Sequence, residues 1–361
     1  MLNTRLQNKY ENLLKLKKTS LGYPPNNNIH YHDLAPFLDM CLNNCGDPFA
    51  KESNYQLNTH DLECEVIDYF AKLYQQPKNY WGYVSSGGTE GNILGVHLGL
   101  AHYPNGIVYY NQASHYSVRK AITLTRAKGV EVAAQEKGEM DYAALTQALK
   151  QHAHLPAIIV ANIGTVMTGA IDDIFAIKTC LAEAGIQDYY LHCDGALHGA
   201  ILPFQDSPKK FTLADIDSLT VSGYKLIGAP FPCGIFLCQQ QALKNFHEHV
   251  EYIYNSDPTL TGSRNGFTVL VFWKKFFHDN NLPEIVASNI EKADYAIKKF
   301  KAAGIQAWRH DHSHIVVFPK PNQAIVKKWA LATQGDIAHI ITGAHVDKKM
   351  LDDFIAEVAA Q

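Results

Sequence analysis

Between residues 81 and 238 short apolar runs alternate with amphipathic stretches, and this alternation limits the fold more than any other feature of the chain. The runs at 81–84, 106–110, 157–161, 189–193, 218–222 and 234–238 have the length of strands. The stretches at 89–101, 116–127, 141–151 and 172–184 have helical spacing. Ala157-Ile158-Ile159-Val160-Ala161 is apolar without a break, as a parallel strand covered on both faces must be. Strands that alternate with helices in this way build a mostly parallel sheet with helices on its faces, an α/β fold.

The flanking regions read differently. A helix is expected at 11–18, broken by Gly22-Tyr23-Pro24-Pro25, and another at 61–73, where Leu62, Val66, Ile67, Phe70 and Leu73 share one face and Pro77 ends it. Asp172-Asp173 is a natural cap for the helix that follows, and Gly185 stands just past its end. After Gly266 come helical stretches at 268–278 and 282–303, an apolar run at 315–318, and further helices at 324–332 and 348–359. The expected division is an N-terminal segment 1–54, a large domain 55–265 and a smaller α+β domain 266–361.

Of 361 residues 47% are hydrophobic and 19% charged, which is ample for a large core and excludes a disordered chain. Lys and Arg number 32 against 35 Asp and Glu, with no basic block, so a nucleic-acid partner is not expected. No apolar run approaches the ~20 residues that span a bilayer. The polar, Lys-rich start of the chain lacks the apolar stretch of a secretory signal. Seven cysteines, an odd number and mostly within apolar runs, read as reduced thiols of a cytoplasmic protein. No cysteine pair has zinc-knuckle spacing and no histidine pair has His-Glu-x-x-His spacing, so no metal site is expected.

Four constellations carry chemistry. Ser85-Ser86-Gly87-Gly88-Thr89-Glu90-Gly91-Asn92 lies between a strand and a helix, where Gly-rich backbone and a helix N-terminus cradle an anion such as phosphate. It is neither a dinucleotide Gly-x-Gly-x-x-Gly loop nor a Walker A loop. His192-Cys193-Asp194-Gly195 ends an apolar strand on an aspartate, at the sheet edge where open α/β sheets bind ligands. Ser222-Gly223-Tyr224-Lys225 puts a lysine just beyond another strand, where desolvation would lower its pKa and suit it to covalent bonding with a carbonyl. Ser114-His115-Tyr116-Ser117 offers a histidine after a third strand. Each signal alone also fits an ordinary turn, cap or surface residue. Together, in this chain order, they are what pyridoxal 5′-phosphate requires: an anion cradle, an aromatic platform, a carboxylate for the ring nitrogen and a buried amine.

These motifs, with Asn43-Asn44-Cys45-Gly46-Asp47, Asn162-Ile163-Gly164-Thr165, Thr261-Gly262-Ser263-Arg264-Asn265-Gly266 and Gly335-Asp336-Ile337-Ala338-His339, give the chain a resemblance to the pyridoxal-phosphate-dependent group II amino-acid decarboxylases. The resemblance runs from Gly22-Tyr23-Pro24 to the C-terminal helix and is nearest to the bacterial histidine decarboxylases and the plant serine decarboxylases. It implies fold type I, the aspartate aminotransferase-like architecture. It also implies a homodimer or homotetramer with its active site at the subunit interface. By the same resemblance Lys225 bonds to the cofactor, Asp194 pairs with its pyridine nitrogen and His115 stacks on its ring and borders the substrate. Gly87, Gly88, Thr89 and Ser222 hold the phosphate. Ser313 and His198 are implied near the substrate. The chain departs from the family pattern at Tyr224, usually His, and at Gly164-Thr165-Val166-Met167-Thr168-Gly169, which lacks a hydroxyl and a basic side chain found elsewhere.

The expected activity is decarboxylation of an L-amino acid. L-histidine to histamine is favoured by the likeness at Trp308-Arg309 and Ile340-Ile341-Thr342-Gly343-Ala344-His345. L-serine to ethanolamine is favoured by Asp47-Pro48-Phe49, Glu52-Ser53-Asn54-Tyr55 and His192-Cys193-Asp194-Gly195. An aminotransferase or lyase of the same fold would use the same lysine and aspartate.

Overall fold

The computed structural model describes residues 3–50, 52–76, 78–244, 246 and 249–361. Seven strands form the central sheet: β1 (Tyr80–Ser85), β2 (Ile107–Asn111), β3 (Lys128–Val132), β4 (Ala157–Asn162), β5 (Tyr189–Asp194), β6 (Ser218–Ser222) and β7 (Gly234–Gln239). Their order is β1-β7-β6-β5-β4-β2-β3, with β7 antiparallel to both neighbours and the other pairs parallel.

Every residue of β4 is buried, because apolar clusters cover both faces of the sheet. Ile159 and Ala161 belong to one cluster, Ile158 and Val160 to the other, as the two-residue side-chain period of a strand requires. Helices α1 (Thr4–Lys17), α2 (His60–Leu73), α3 (Gly88–His102), α4 (Tyr116–Thr125), α5 (Tyr142–Lys150), α6 (Ile174–Glu183) and α7 (Gly266–Trp273) follow in sequence. Caps set their ends: Asp141 accepts from the Ala144 amide, and Asp173 from those of Phe175 and Ala176. Gly185 takes a left-handed φ of +73° just beyond α6.

A second core lies toward the C-terminus. Strands β8 (Ile315–Pro319), β9 (Ala332–Gln334) and β10 (Ile337–Ile341) form an antiparallel sheet in the order β8-β10-β9. Helices α8 (Leu282–Ala302), α9 (Gln323–Lys328) and α10 (Lys348–Ala359) accompany it. Ala293, Ala296 and Phe300 of α8 and Leu351, Phe354 and Ile355 of α10 pack on it. Leu282 and Val286 at the start of α8 belong to the first core, so this helix joins the two.

Leu21 is fully buried in the second core. Its amide donates to Trp329 O at 3.1 Å, and its carbonyl accepts from the Ile341 amide at 2.8 Å. Gly22 beside it must be glycine, since a Cβ there would lie 2.4 Å from the Leu331 Cα.

Several expectations are corrected. The first helix begins at Thr4, well before residue 11. The stretch 324–332 is helical only to Lys328; Ala330 takes a left-handed φ of +47° and Ala332 opens a strand. The stretch 268–278 is α-helical only to Trp273, after which 274–279 widens into a π-type turn. The helix beginning at Tyr116 stops at Thr125 because Arg126 is left-handed, and the strand Lys128–Val132 that follows was not expected. Pro77, expected to end α2, lies outside the described residues.

Candidate active site

The strands of the central sheet end together at one edge, and a cavity of about 410 Å³ opens there. Asn162 and Asp194 are the last residues of β4 and β5, and Ser222 is the last of β6. Gly87 precedes α3 with φ +142°, which favours glycine, and Gly88 and Thr89 begin that helix. His115 caps α4. Lys225 lies in the turn after β6. All seven expected cofactor residues, Gly87, Gly88, Thr89, His115, Asp194, Ser222 and Lys225, line this one cavity.

Lys225 is half-buried. Desolvation lowers its amine to about 8, partly opposed by the Asp194 charge. Close to neutral pH about a tenth of the amine is therefore unprotonated and nucleophilic, far more than for an ordinary lysine. Asp194 accepts at Oδ1 from the Ala196 amide at 3.1 Å and at Oδ2 from Asn92 Nδ2 at 2.7 Å. His115 Nδ1 lies 2.8 Å from Ser117 Oγ and accepts from the Ser117 amide at 3.2 Å. Burial holds its imidazole below the ordinary value, with Asp194 raising it and Lys225 lowering it. A Cβ on Gly88 would come within 3.0 Å of Ser222 Oγ, so glycine keeps the cradle floor open.

Other cavity residues were missed as site residues. Asn92, Ser117 and Asn162 are polar, buried and in the wall. Asn162 donates through its amide nitrogen and Nδ2 to Asp172 Oδ2, each at 2.8 Å. The signal for them was a polar residue at the end of an otherwise apolar strand, or in the first turns of the helix after the glycine loop. Leu260 and Thr261 also line the cavity, brought there by the chain leading to Ser263–Asn265, which pairs antiparallel with Asn43–Cys45. Tyr224, where the family usually has His, lies in the wall as well.

Two expected substrate residues are not brought to the cavity. His198 is fully buried behind it: a Cβ on the wall residue Gly164 would sit 1.9 Å from His198 Nδ1. Ser313 is buried beside Gly169, its Oγ accepting from the Ile315 amide at 3.1 Å. Of the segments that separated the histidine from the serine reading, 47–49, 52–55, 308–309 and 340–345 do not line the cavity, and 192–195 reaches it through Asp194.

The residues present fit pyridoxal phosphate. A glycine cradle at a helix N-terminus suits the phosphate, a carboxylate pinned by two N–H groups suits the ring nitrogen, and an amine of lowered pKa suits the aldehyde. Sheet order, site and cradle define a fold type I pyridoxal-phosphate enzyme. The pyridoxal-dependent decarboxylase conserved domain matches residues 101–270. The histidine decarboxylase of Pseudomonas entomophila (strain L48) is 43% identical over 364 residues, 99% of this chain and 90% of that protein. The histidine decarboxylase of Morganella morganii is 43% identical, covering 94% of this chain and 92% of that protein. The crystal structure of L-methionine decarboxylase from Streptomyces sp. 590 superposes with a TM-score of 0.89, covering 98% of this chain and 94% of that one at 24% identity. The chain belongs to the pyridoxal-dependent decarboxylase family and is a carboxy-lyase. The aminotransferase and non-decarboxylating lyase alternatives fall away.

Proposed function

We propose that the protein decarboxylates L-histidine to histamine and CO₂. The observation that carries this reading is the 43% identity to histidine decarboxylases along nearly the whole chain. When bound, pyridoxal phosphate supplies an electron sink for the pair released as CO₂ leaves. The protein's part is positional. Lys225 Nζ, free of its proton in part near neutrality, would be the amine that holds the cofactor's aldehyde group. The carboxylate of Asp194 holds a proton on the ring nitrogen. Gly87, Gly88, Thr89 and Ser222 would hold the phosphate, and His115 would face the ring and the substrate.

The assay is CO₂ release from purified holoenzyme with L-histidine, L-serine, aromatic amino acids and L-glutamate. Histamine as the dominant product supports the reading, and ethanolamine as the dominant product overturns the substrate. Lys225→Ala should abolish turnover and the visible absorbance of lysine-bound cofactor; retention of both would overturn the lysine's role.

The working form we propose is a cytoplasmic homodimer or homotetramer whose site closes at the subunit interface. No described helix is long and apolar enough to cross a membrane. All seven cysteines are free thiols, as in a reducing compartment. Helix α1 buries no residue of its own chain yet carries Leu6, Tyr10 and Leu13 exposed on one face. Tyr252, 82% exposed, and Tyr254 stand near the loop that reaches the cavity at Leu260.

A further inference from the structure

Asn92 lies in α3 between two glycines whose missing side chains bring the helix hard against the sheet. A Cβ on Gly91 would sit 2.0 Å from Thr220 Oγ1, and one on Gly95 would sit 2.3 Å from His192 Nδ1. The close approach lets the Asn92 amide reach three side chains. Its Nδ2 is 2.7 Å from Asp194 Oδ2 and 2.8 Å from Ser117 Oγ, and its Oδ1 is 3.0 Å from His192 Nε2. His192 stands two residues before Asp194 on β5, so both project from the same face of the strand. Its Nδ1 is 2.8 Å from Ser218 Oγ.

The donors and acceptors admit one direction. An ionised carboxylate only accepts, so Asn92 must turn its NH₂ toward Asp194. Its oxygen then faces His192, which must donate from Nε2 and accept at Nδ1 from the Ser218 hydroxyl. The second amide hydrogen goes to Ser117 Oγ, whose single hydrogen goes on to His115 Nδ1, 2.8 Å away. That nitrogen also accepts from the Ser117 amide, so it carries no hydrogen. His115 is therefore neutral, with its N–H on Nε2.

We propose that Asn92 is a positioning residue of this site: one amide aims the Asp194 carboxylate and, through Ser117, fixes the tautomer of His115, with His192 holding the amide in register. This rests on the reading that Asp194 and His115 serve the cofactor. The consequence is that the carboxylate cannot swing away from the ring nitrogen, and the histidine keeps a donor, not a lone pair, at its free nitrogen.

Two variants separate the branches. Asn92→Leu removes both, and Ser117→Ala cuts only the path to His115. Apo-protein is titrated with pyridoxal phosphate, and the His115 tautomer is read by nitrogen-15 NMR on histidine-labelled protein, with His115→Asn to assign the signal. Asn92→Leu should weaken cofactor binding about tenfold or more, as loss of a hydrogen bond to a charged group does. Ser117→Ala removes one of the two donors to His115 Nδ1 and keeps the backbone amide, so it should leave cofactor affinity within about twofold while the share of His115 with hydrogen on Nδ1 rises, a change that a merely structural role would not produce. A wild-type His115 protonated on Nδ1, or unchanged affinity in Asn92→Leu, overturns the proposal. Borohydride reduction of wild-type holoenzyme and peptide mass analysis test the underlying reading separately. Cofactor trapped on a residue other than Lys225 overturns that reading, and this proposal with it. Cofactor trapped on Lys225, with both variants silent, overturns this proposal alone.

Discussion

His198 sits behind the cavity wall with neither ring nitrogen hydrogen-bonded among the described residues, its ring 5.2 Å from that of His314. Burial drives its pKa well below the ordinary value, drives His314 to about 3 and His192 to about 4. All three fold as neutral rings. As pH falls below about 6.5 the unfolded chain takes up protons that the folded one refuses, so the stability they contribute is full above that pH and is lost as acid is added. Each imbalance is worth about 1.4 kcal/mol per pH unit at most. Asp172 and Asp217, held above the usual carboxylate value by burial, work the other way, so the test isolates one imidazole. His198→Leu should flatten the dependence of urea-unfolding free energy on pH between about 6.5 and 5 by about 1 kcal/mol per unit, and an unchanged slope would refute it. The sequence singled out His115 and His198 among 18 histidines. It could bring the first to the cavity because a strand end fixes its place. It could not foresee that the second would lie behind Gly164, since that depends on a turn at 164–169 packing against residues over a hundred positions away.

Among the elements, the two-stranded pair Asn43–Cys45 with Ser263–Asn265 holds the loop that reaches the cavity at Leu260 and Thr261. Its anchor is a buried ion pair between Arg264 and Glu63, with the guanidinium also 5.2 Å over the Tyr83 ring and donating to Gly46 O at 2.8 Å. Glu63 accepts as well from the Val84 amide of β1 at 2.7 Å. Arg264→Leu strands a buried carboxylate and should cost about 3–5 kcal/mol of unfolding free energy by chemical denaturation. Adding Glu63→Gln removes the stranded charge and should recover part of the loss; a double variant no more stable than the single one would contradict this account. The buried strands β4, β5 and β6 were legible because unbroken apolar runs leave little choice. The edge strand Lys128–Val132 and the strand Ile337–Ile341 were not. Lys128, Gly129 and Glu131 of the first are exposed, and the second became a strand by pairing with Ile315–Pro319 on one side and Ala332–Gln334 on the other, which no local pattern announces.

For the whole molecule, the exposed apolar face of α1 bears on assembly. Because that helix buries nothing in its own chain, Leu6→Ser with Leu13→Ser leaves the fold of one chain untouched. The pair should halve the mass measured by light scattering and lower activity; an unchanged mass would rule out α1 as the contact. The burial of Leu21 in a core otherwise built from residues 293–358 has a further consequence, in the order in which the protein is made. Leu21 leaves the ribosome long before Trp329 and Ile341, its backbone partners, exist. The same segment carries Asn26, whose Nδ2 donates to Leu226 O beside Lys225 at 3.1 Å. The N-terminal strap over the lysine turn thus cannot be fastened at its Leu21 end until β10 has been synthesised. Chains stalled before residue 341 should bind pyridoxal phosphate poorly however well their central sheet has formed, and cofactor capture during synthesis should mark completion of the chain rather than of the sheet.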